Sequence, residues 1–351
     1  MAAEAATGWR DAATRRLRQA WLTRGGLARL LWPLSQLYRV LLWLHRRPYL
    51  HGQRHPQKLP LPVVVVGNVL VGGTGKTPTV MALVQHLRAR GWHPGVVSRG
   101  HGRSGAPCEL VRPNSDGALV GDEPLLIVQR TRVPLVVGRD RPAAARHLLA
   151  QHPEVDVIVS DDGMQHWALH RDLTLVLFDQ RGCGNGWLLP AGPLREAWPA
   201  RPLGDEPLVT VHTHLSRRLA DAAINRLGHA HPLAGWAAAA QGPTPAALAA
   251  IAQPERFFDM LQSRGIALSE QVALPDHADA ATLLAAIRHR DPDLQWLCTE
   301  KDAVKLFPAL TANEAARVWA VPLEQPLPAD VAQAVDARLE ALSSRHGHQT
   351  P

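Results

Sequence analysis

The sequence predicts an α/β protein with three parts: an amphipathic helix in front, a doubly wound and mostly parallel sheet, and a smaller α/β domain behind. Three observations carry this. Short apolar runs at 61–66, 155–160 and 173–178 read as strands buried on both faces. Segments of helical length and pattern separate them, as in βαβ units. At 351 residues, with 46% hydrophobic and 20% charged, the chain is too long for one compact core.

The N-terminal residues are polar and mixed in charge, with no apolar stretch directly behind them, so no secretory signal is read. Leu27, Leu30, Leu31, Leu34, Leu37, Tyr38, Leu41 and Leu42 then recur three or four apart, which is a helical stripe. Arg29, Pro33 and Arg39 interrupt it, against the run of about 20 apolar residues that a spanning helix needs. Trp32, Trp43, Arg46 and Arg47 suit a helix lying in an anionic membrane surface. A helix packed on the protein's own core has the same periodicity, and both readings stand. Residues 1–50 are expected to form this segment.

From residue 61 the elements alternate. Valines 63–66 make the first strand, and a helix follows from Thr77 to Arg90, closed by Gly91. Further strands are expected at 95–98, 134–137, 155–160 and 173–178, with helices in "GDEPLLIVQR" and "RPAAARHLLAQH". The proline- and glycine-rich "LPAGPLREAWPARPLGDEP" reads as the exit from a core domain at 51–205. A smaller α/β domain at 206–340 and a disordered tail at 341–351 complete the expectation. In "TEKD", Thr299 is the expected helix N-cap, with Asp302 three residues on. No role is read for Lys301 or Lys305.

The net charge of +7 points to an anionic partner: nucleic acid, anionic lipid or a phosphorylated substrate. No aromatic-basic motif supports nucleic acid. Three cysteines, far apart and without a CxxC pair, support neither a disulfide framework nor a zinc site, and imply a reducing compartment.

The stretch "VVVVGNVLVGGTGKTP" carries the chemistry. A phosphate loop reads G-x-x-x-x-G-K-[ST], and Leu70 stands where its first glycine belongs. A compact variant is present in Gly72, Gly73, Thr74, Gly75, Lys76 and Thr77. A buried strand delivers the loop, glycines let its N–H groups curl around phosphate oxygens, and a helix begins behind it. Leu70, Val71 and the six residues after them are the expected ATP cradle. Lys76 would reach the β- and γ-phosphates and the Thr77 hydroxyl would bind Mg²⁺. This makes the core a P-loop NTPase-like domain. Dimerising ATPases with a related loop carry a lysine where this chain has Val71.

In "VDVIVSDDGMQH", Asp161 and Asp162 end an apolar strand, where ligands bind in open α/β sheets. A plain turn before Gly163 explains two acids as well. Phosphoryl transfer needs such a group for the metal, which favours Asp161 as ligand. Asp162 and Gln165 are candidates to orient phosphate or water. Glu196 is a candidate outer metal group or a loop ion pair. Arg99 and Arg103 are candidates for contacting an acceptor phosphate.

Taken in order, "VVVVGNVLVGGTGKTP", "SRGHGR", "GDEPLLI", "SDDGMQH", "LLPAGPLREA", "PERFF", "PDH" and "TEKDAVKL" resemble the tetraacyldisaccharide 4'-kinase family, over residues 63–306. The resemblance implies transfer of the ATP γ-phosphate to the 4'-hydroxyl of a tetraacyldisaccharide 1-phosphate, giving lipid IVA in lipid A biosynthesis. It implies a site at the cytoplasmic face of the bacterial inner membrane, with no obligate protein partner. It points to Asp122 in "GDEP" and His277 in "PDH" as an acid–histidine pair that takes the hydroxyl proton. Without it, Asp122 reads as a helix-start acid and His277 as one of 18 histidines. One departure stands: "PDHADA" has alanine where family members often carry a second histidine or an aromatic residue. The alternative is a membrane-attached ATPase acting as a nucleotide-dependent switch.

Overall fold

The computed structural model describes residues 16–100, 103, 107–200, 202, 204–238 and 244–346. Strands β1 (Val63–Gly67), β2 (Pro94–Ser98), β3 (Cys108–Leu110), β4 (Leu135–Gly138), β5 (Val157–Asp161), β6 (Leu173–Phe178) and β7 (Leu208–His212) form one sheet in the order β3-β4-β2-β5-β1-β6-β7. All neighbours run parallel except β3, which is antiparallel to β4.

The valine run of β1 is buried on both faces because helices lie on both. Val64 and Val66 point to one side with Leu83, Leu87 and Ile127; Val63 and Val65 point to the other with Ala144 and Leu148. The first set packs helices α2 (Lys76–Ala89) and α3 (Asp122–Thr131), and the second packs α4 (Arg141–Gln151). These elements agree in kind and place with those read from the sequence.

Ahead of the sheet, α1 (Gly26–Leu50) runs 25 residues with Pro33 and Pro48 inside it. Its inner face is small and polar. Ser35 donates to the Leu188 carbonyl (2.8 Å) and accepts from the Ala191 N–H (3.0 Å), and the Tyr38 hydroxyl donates to the Arg195 carbonyl (2.9 Å). Leu30, Leu34, Leu37 and Leu41 face outward and are exposed. Among the described residues, no helix is long and apolar enough to cross a membrane.

The second lobe has a six-stranded sheet, ordered β10-β9-β14-β13-β11-β12. Its strands are β9 (Ala222–Asn225), β10 (Ala230–Pro232), β11 (Ala246–Ala249), β12 (Gln271–Ala273), β13 (Trp296–Thr299) and β14 (Val318–Val321). Helix α5 (Pro254–Ser263) covers one face, with Phe257 and Leu261 in the core. Helices α6 (Ala280–Arg288) and α7 (Glu300–Ala309) cover the other, with Leu283, Ile287 and Leu306. Thr299 caps α7 as expected, its Oγ1 accepting from the Asp302 N–H. Asp302 does not return the bond to the Thr299 backbone; its carboxylate takes the Thr299 hydroxyl (2.6 Å) and the Ala250 N–H (3.1 Å). Chain enters and leaves this lobe through a two-stranded antiparallel ribbon, β8 (Arg218–Leu219) with β15 (Leu323–Glu324).

Two features correct the expected boundaries. β7 lies beyond residue 205 yet joins the first sheet by pairing with β6. Helix α8 (Ala329–His346) returns to the first lobe, where Val331, Val335 and Leu339 enter the core of β1 and α2. The second lobe is therefore an insertion between β7 and α8. Residues 341–346 continue α8 rather than begin a tail, and Leu342 and Ser343 are buried; the rest of the expected tail lies outside the described residues. If α8 is a structural part of the first lobe, Leu339→Ala will lower the unfolding free energy by about 2–5 kcal/mol. Denaturant unfolding of the full chain reads this, and a loss below about 0.5 kcal/mol would leave α8 peripheral.

Candidate active site

The loop between β1 and α2 is held at Val71, Thr74 and Gly75. Val71 donates to the Pro193 carbonyl (2.9 Å), and its own carbonyl accepts from Arg181 (3.1 Å). The Thr74 hydroxyl accepts from Asn68 Nδ2 (2.7 Å), and the Thr74 carbonyl accepts from the Thr213 hydroxyl (2.8 Å). The Gly75 carbonyl accepts from the Thr79 hydroxyl (2.9 Å), and Gln325, directly after β15, bonds Thr79 in turn. Among the described residues, no protein acceptor takes the N–H groups of Gly72, Gly73, Thr74 or Gly75. Gly72 and Gly75 sit at φ 101° and 87°, a backbone that side chains resist. A Cβ at Gly75 would also meet Arg217 and Gln325.

The open N–H groups thus start at Gly72. Leu70 is fully buried and Val71 uses its N–H internally, so these two of the expected eight do not line it. Pro193, distant in sequence, takes the place a ligand would have had.

Gly72 to Pro78 form one wall of an interlobe cleft of about 440 Å³. Glu123, Asp162 and Arg195 continue the first-lobe side; Arg217, Arg256, Phe257, Met260, His277 and Lys301 face them from the second. Lys76 and Arg195 reach Asp162 Oδ1 at 3.5 and 3.3 Å. Burial pushes the Asp162 carboxyl up, but Lys76, Arg195 and Arg141 outweigh it and hold it below the ordinary range. Among the described residues, three outside glycine have positive φ, and Asp162 (49°) and His277 (63°) are two of them. Such backbone persists only where the surroundings enforce it.

Asp161 is completely buried at the end of β5. Its Oδ2 accepts from the Ser98 hydroxyl (2.9 Å), and its Oδ1 has no partner. Burial, with Glu123 and Asp162 nearby, pushes its carboxyl up to about 6, against the pull of Lys76 and Ser98. Arg141, itself buried, grips the β4 and β5 ends by donating to the carbonyls of Gly138 (2.6 Å) and Asp161 (3.2 Å). Glu196 accepts from Gln165 (2.7 Å), which also donates to the Asn68 carbonyl (3.0 Å) behind the loop. Burial raises the Glu196 carboxyl. Thr77 and Asp162 line the cleft, whereas Asp161 and Glu196 do not.

Asp122 and His277 meet across the lobes, with His277 Nδ1 at 3.6 Å from Asp122 Oδ2. His277 lines the cleft, and Asp122 stands one contact behind it. Arg103 folds back on its own loop, donating to the Pro107 carbonyl (2.8 Å), and Arg99 is exposed.

The sequence reading passed over three arginines. Arg181, Arg217 and Arg256 gather beside the loop around one carboxylate, Asp179. Arg181 pairs with it at 2.9 Å and Arg256 lies at 3.9 Å. The Nε of Arg217 is buried without a partner. Burial, then Arg256, lowers the pKa of Arg217. Three cations on one anion leave positive potential where a polyphosphate would lie.

A sequence model for the tetraacyldisaccharide-1-P 4'-kinase family matches residues 27–340. The chain belongs to this family. Its relatives include tetraacyldisaccharide 4'-kinases from Acidovorax ebreus, 49% identical over 98% of this chain and all of the relative, and from Delftia acidovorans, 47% identical over 94% and 96%. The crystal structure of the LpxK protein from Aquifex aeolicus, in complex with ATP, matches 90% of this chain and all of its own, with TM-score 0.70 and 25% identity. The resemblance read from the ordered motifs is borne out, as is the α/β P-loop fold.

Within this kinase fold Asp161 is a liability to stability. Its folded value lies above the unfolded one, so the folded protein binds the proton more tightly. The burden of the ionised form is absent below the ordinary 3.8 and complete above about 6. Asp161→Asn is expected to stabilise the ligand-free protein by on the order of 2 kcal/mol at pH 8, with the gain vanishing toward pH 3.5. Chemical denaturation at the two pH values measures it, and a gain equal at both would contradict the cause.

Proposed function

We propose that the protein transfers the γ-phosphate of ATP to the 4'-hydroxyl of a tetraacyldisaccharide 1-phosphate, yielding lipid IVA, at the cytoplasmic face of the inner membrane. The observation that carries this is the loop of open N–H groups at Gly72–Gly75, facing a cleft that also holds His277, with Asp122 behind it. The amides cradle the β- and γ-phosphates, and Lys76 leaves Asp162 to follow the transferred group. The acceptor oxygen bonds to the γ-phosphorus as the bond to the ADP oxygen breaks. The hydroxyl proton passes to the Asp122 carboxylate, with His277 orienting it.

The donor set suits Mg²⁺. No three His, Cys, Asp or Glu side chains converge into a cage among the described residues, and Mg²⁺ ordinarily takes one or two carboxylates plus phosphate and water. Asp161, with its unpartnered Oδ1, and Thr77 would hold the ion, and Glu196 would support it through Gln165. The ion would neutralise charge on the β- and γ-phosphates.

The outward stripe of α1 would meet the membrane that carries the acceptor. Leu30, Leu34, Leu37 and Leu41 are exposed beside Trp32 and Trp43, and Arg47 lies 5.1 Å over the Trp43 ring. Through the Tyr38 hydroxyl the helix also holds Arg195, a cleft residue.

Labelled ATP and detergent-dispersed acceptor test the reaction. Wild type should place label on the lipid, and Lys76→Ala should lower transfer by about 10²–10³-fold with the fold intact. Hydrolysis indifferent to the acceptor would instead indicate a nucleotide switch. For α1, the triple change Leu30→Glu, Leu34→Glu, Leu37→Glu should abolish sedimentation with anionic vesicles while leaving the rate on a short-chain soluble acceptor within about twofold of wild type. Undiminished vesicle binding would remove α1 from the membrane.

A further inference from the structure

Lys301 and Lys305 stand four apart on α7 and so share one face of the helix. That face meets the start of α3, where Asp122 and Glu123 are adjacent. Lys305 Nζ lies 3.0 Å from Asp122 Oδ2 and donates to the Ala278 carbonyl (2.9 Å). Lys301 Nζ lies 3.2 Å from Glu123 Oε1 and 3.6 Å from Asp276 Oδ1. It is also 3.3 Å from His277 Nε2. The lysine side chains are 12% and 18% exposed, too buried to count as a solvated surface pair.

The donor chemistry of these groups sets their arrangement. An ammonium can only donate, so a Lys301 bond to His277 Nε2 requires the lone pair on that nitrogen and the proton on Nδ1. Asp276 Oδ1, the competing acceptor for an Nε2 proton, is farther off at 3.9 Å and itself faces Lys301. The Nδ1–H then points toward Asp122 Oδ2, the same oxygen that Lys305 binds. Asp122 Oδ1 has no hydrogen-bond partner among the described residues.

We propose that Lys305 is a positioning residue for the proton transfer: from the second lobe it grips Oδ2 of Asp122, while Lys301 sets the His277 ring so that its Nδ1–H addresses the same oxygen. This rests on Asp122 as the proton acceptor. The two lysines make the assembly conditional on lobe contact, since Asp122 belongs to α3 and, among the described residues, its cationic partner Lys305 and its histidine partner belong to the second lobe. The charged groups facing Asp122 are Glu123 beside it, Lys301 and Lys305 from α7, and His277 and Asp276 from the loop before α6. Burial raises the Asp122 carboxyl; the bonds from His277 and Lys305 outweigh that and hold it below the ordinary range.

The test compares Lys305→Met, Lys305→Arg and Asp122→Asn by kcat, KM and pH profile, with thermal melts confirming that each is folded. Lys305→Met should lower kcat by about 10- to 100-fold with KM for ATP unchanged. Loss of the cation lets the Asp122 carboxyl rise, so the acid limb of kcat should move up by about one pH unit or more. Lys305→Arg keeps the charge and should keep the limb near its wild-type position. A Lys305→Met enzyme that slows without displacing the limb, or that only loses ATP affinity, overturns the proposal. If Lys305→Met does not fold, Lys305→Gln is read against Lys305→Arg by the same criterion. Failure of the underlying reading looks different: Asp122→Asn would then keep turnover, whatever the lysine variants do.

Discussion

Among the described residues, four consecutive backbone N–H groups, Gly72 to Gly75, are left without protein acceptors, and the elements around them hold the loop in that state. An unsatisfied backbone donor is normally eliminated in folding. Here several of the neighbouring groups that could bond these donors are already engaged elsewhere. Pro193 and Arg181 take both backbone groups of Val71, Asn68 and Thr213 take Thr74, and Thr79 takes the Gly75 carbonyl. The two positive-φ glycines then hold a shape that the loop has no local reason to leave.

Electrostatics divide the cleft along the same line. Near the loop, cations outnumber anions: Lys76 and Arg195 share Asp162, and Arg181 and Arg256 share Asp179 with Arg217 close by. Toward the second lobe two cations, Lys301 and Lys305, face three carboxylates, Glu123, Asp276 and Asp122. A polyanion is drawn to the first region. The acids at the end of β5 add a third behaviour. Asp162 is held ionised by its neighbours, whereas Asp161, one residue away, is pushed up to about 6 by burial. Adjacent carboxylates with opposed environments are a recurrent mark of divided labour.

Much of this was legible in the sequence because it depends on local pattern. Valines 63–66 announce a strand buried on both faces, and a strand followed by glycines, Lys76 and Thr77 announces an anion cradle. What the pattern hides is which distant segment completes a local feature. Leu70 and Val71 fit the motif by counting, yet Pro193 occupies Val71. The strand at 208–212 has an ordinary β pattern, and its pairing with β6 rather than with the second sheet is decided by tertiary contacts alone. Helix α8 shows an apolar periodicity without saying which core it serves. Arg217, Thr213 and Gln325 lie in linkers, where nothing in their neighbours' identity marks them as loop partners. Lys301 and Lys305 did leave a trace, since spacing of four on a helix puts two charges on one face, but two of the acids they meet, Asp122 and Glu123, belong to a distant helix of the other lobe.

The insertion of the second lobe between β7 and α8 has a mechanical consequence. Both ends of the inserted segment pass over the phosphate loop, where Thr213 on the way out holds Thr74 and Gln325 on the way back reaches Gly75 and Thr79. A lobe fastened at two points cannot swing like a flap on a single string. Any torque on it is delivered through those fastenings to the segment that grips the nucleotide. A ligand held by the loop and a movement of the lobe would each be felt by the other through these bonds.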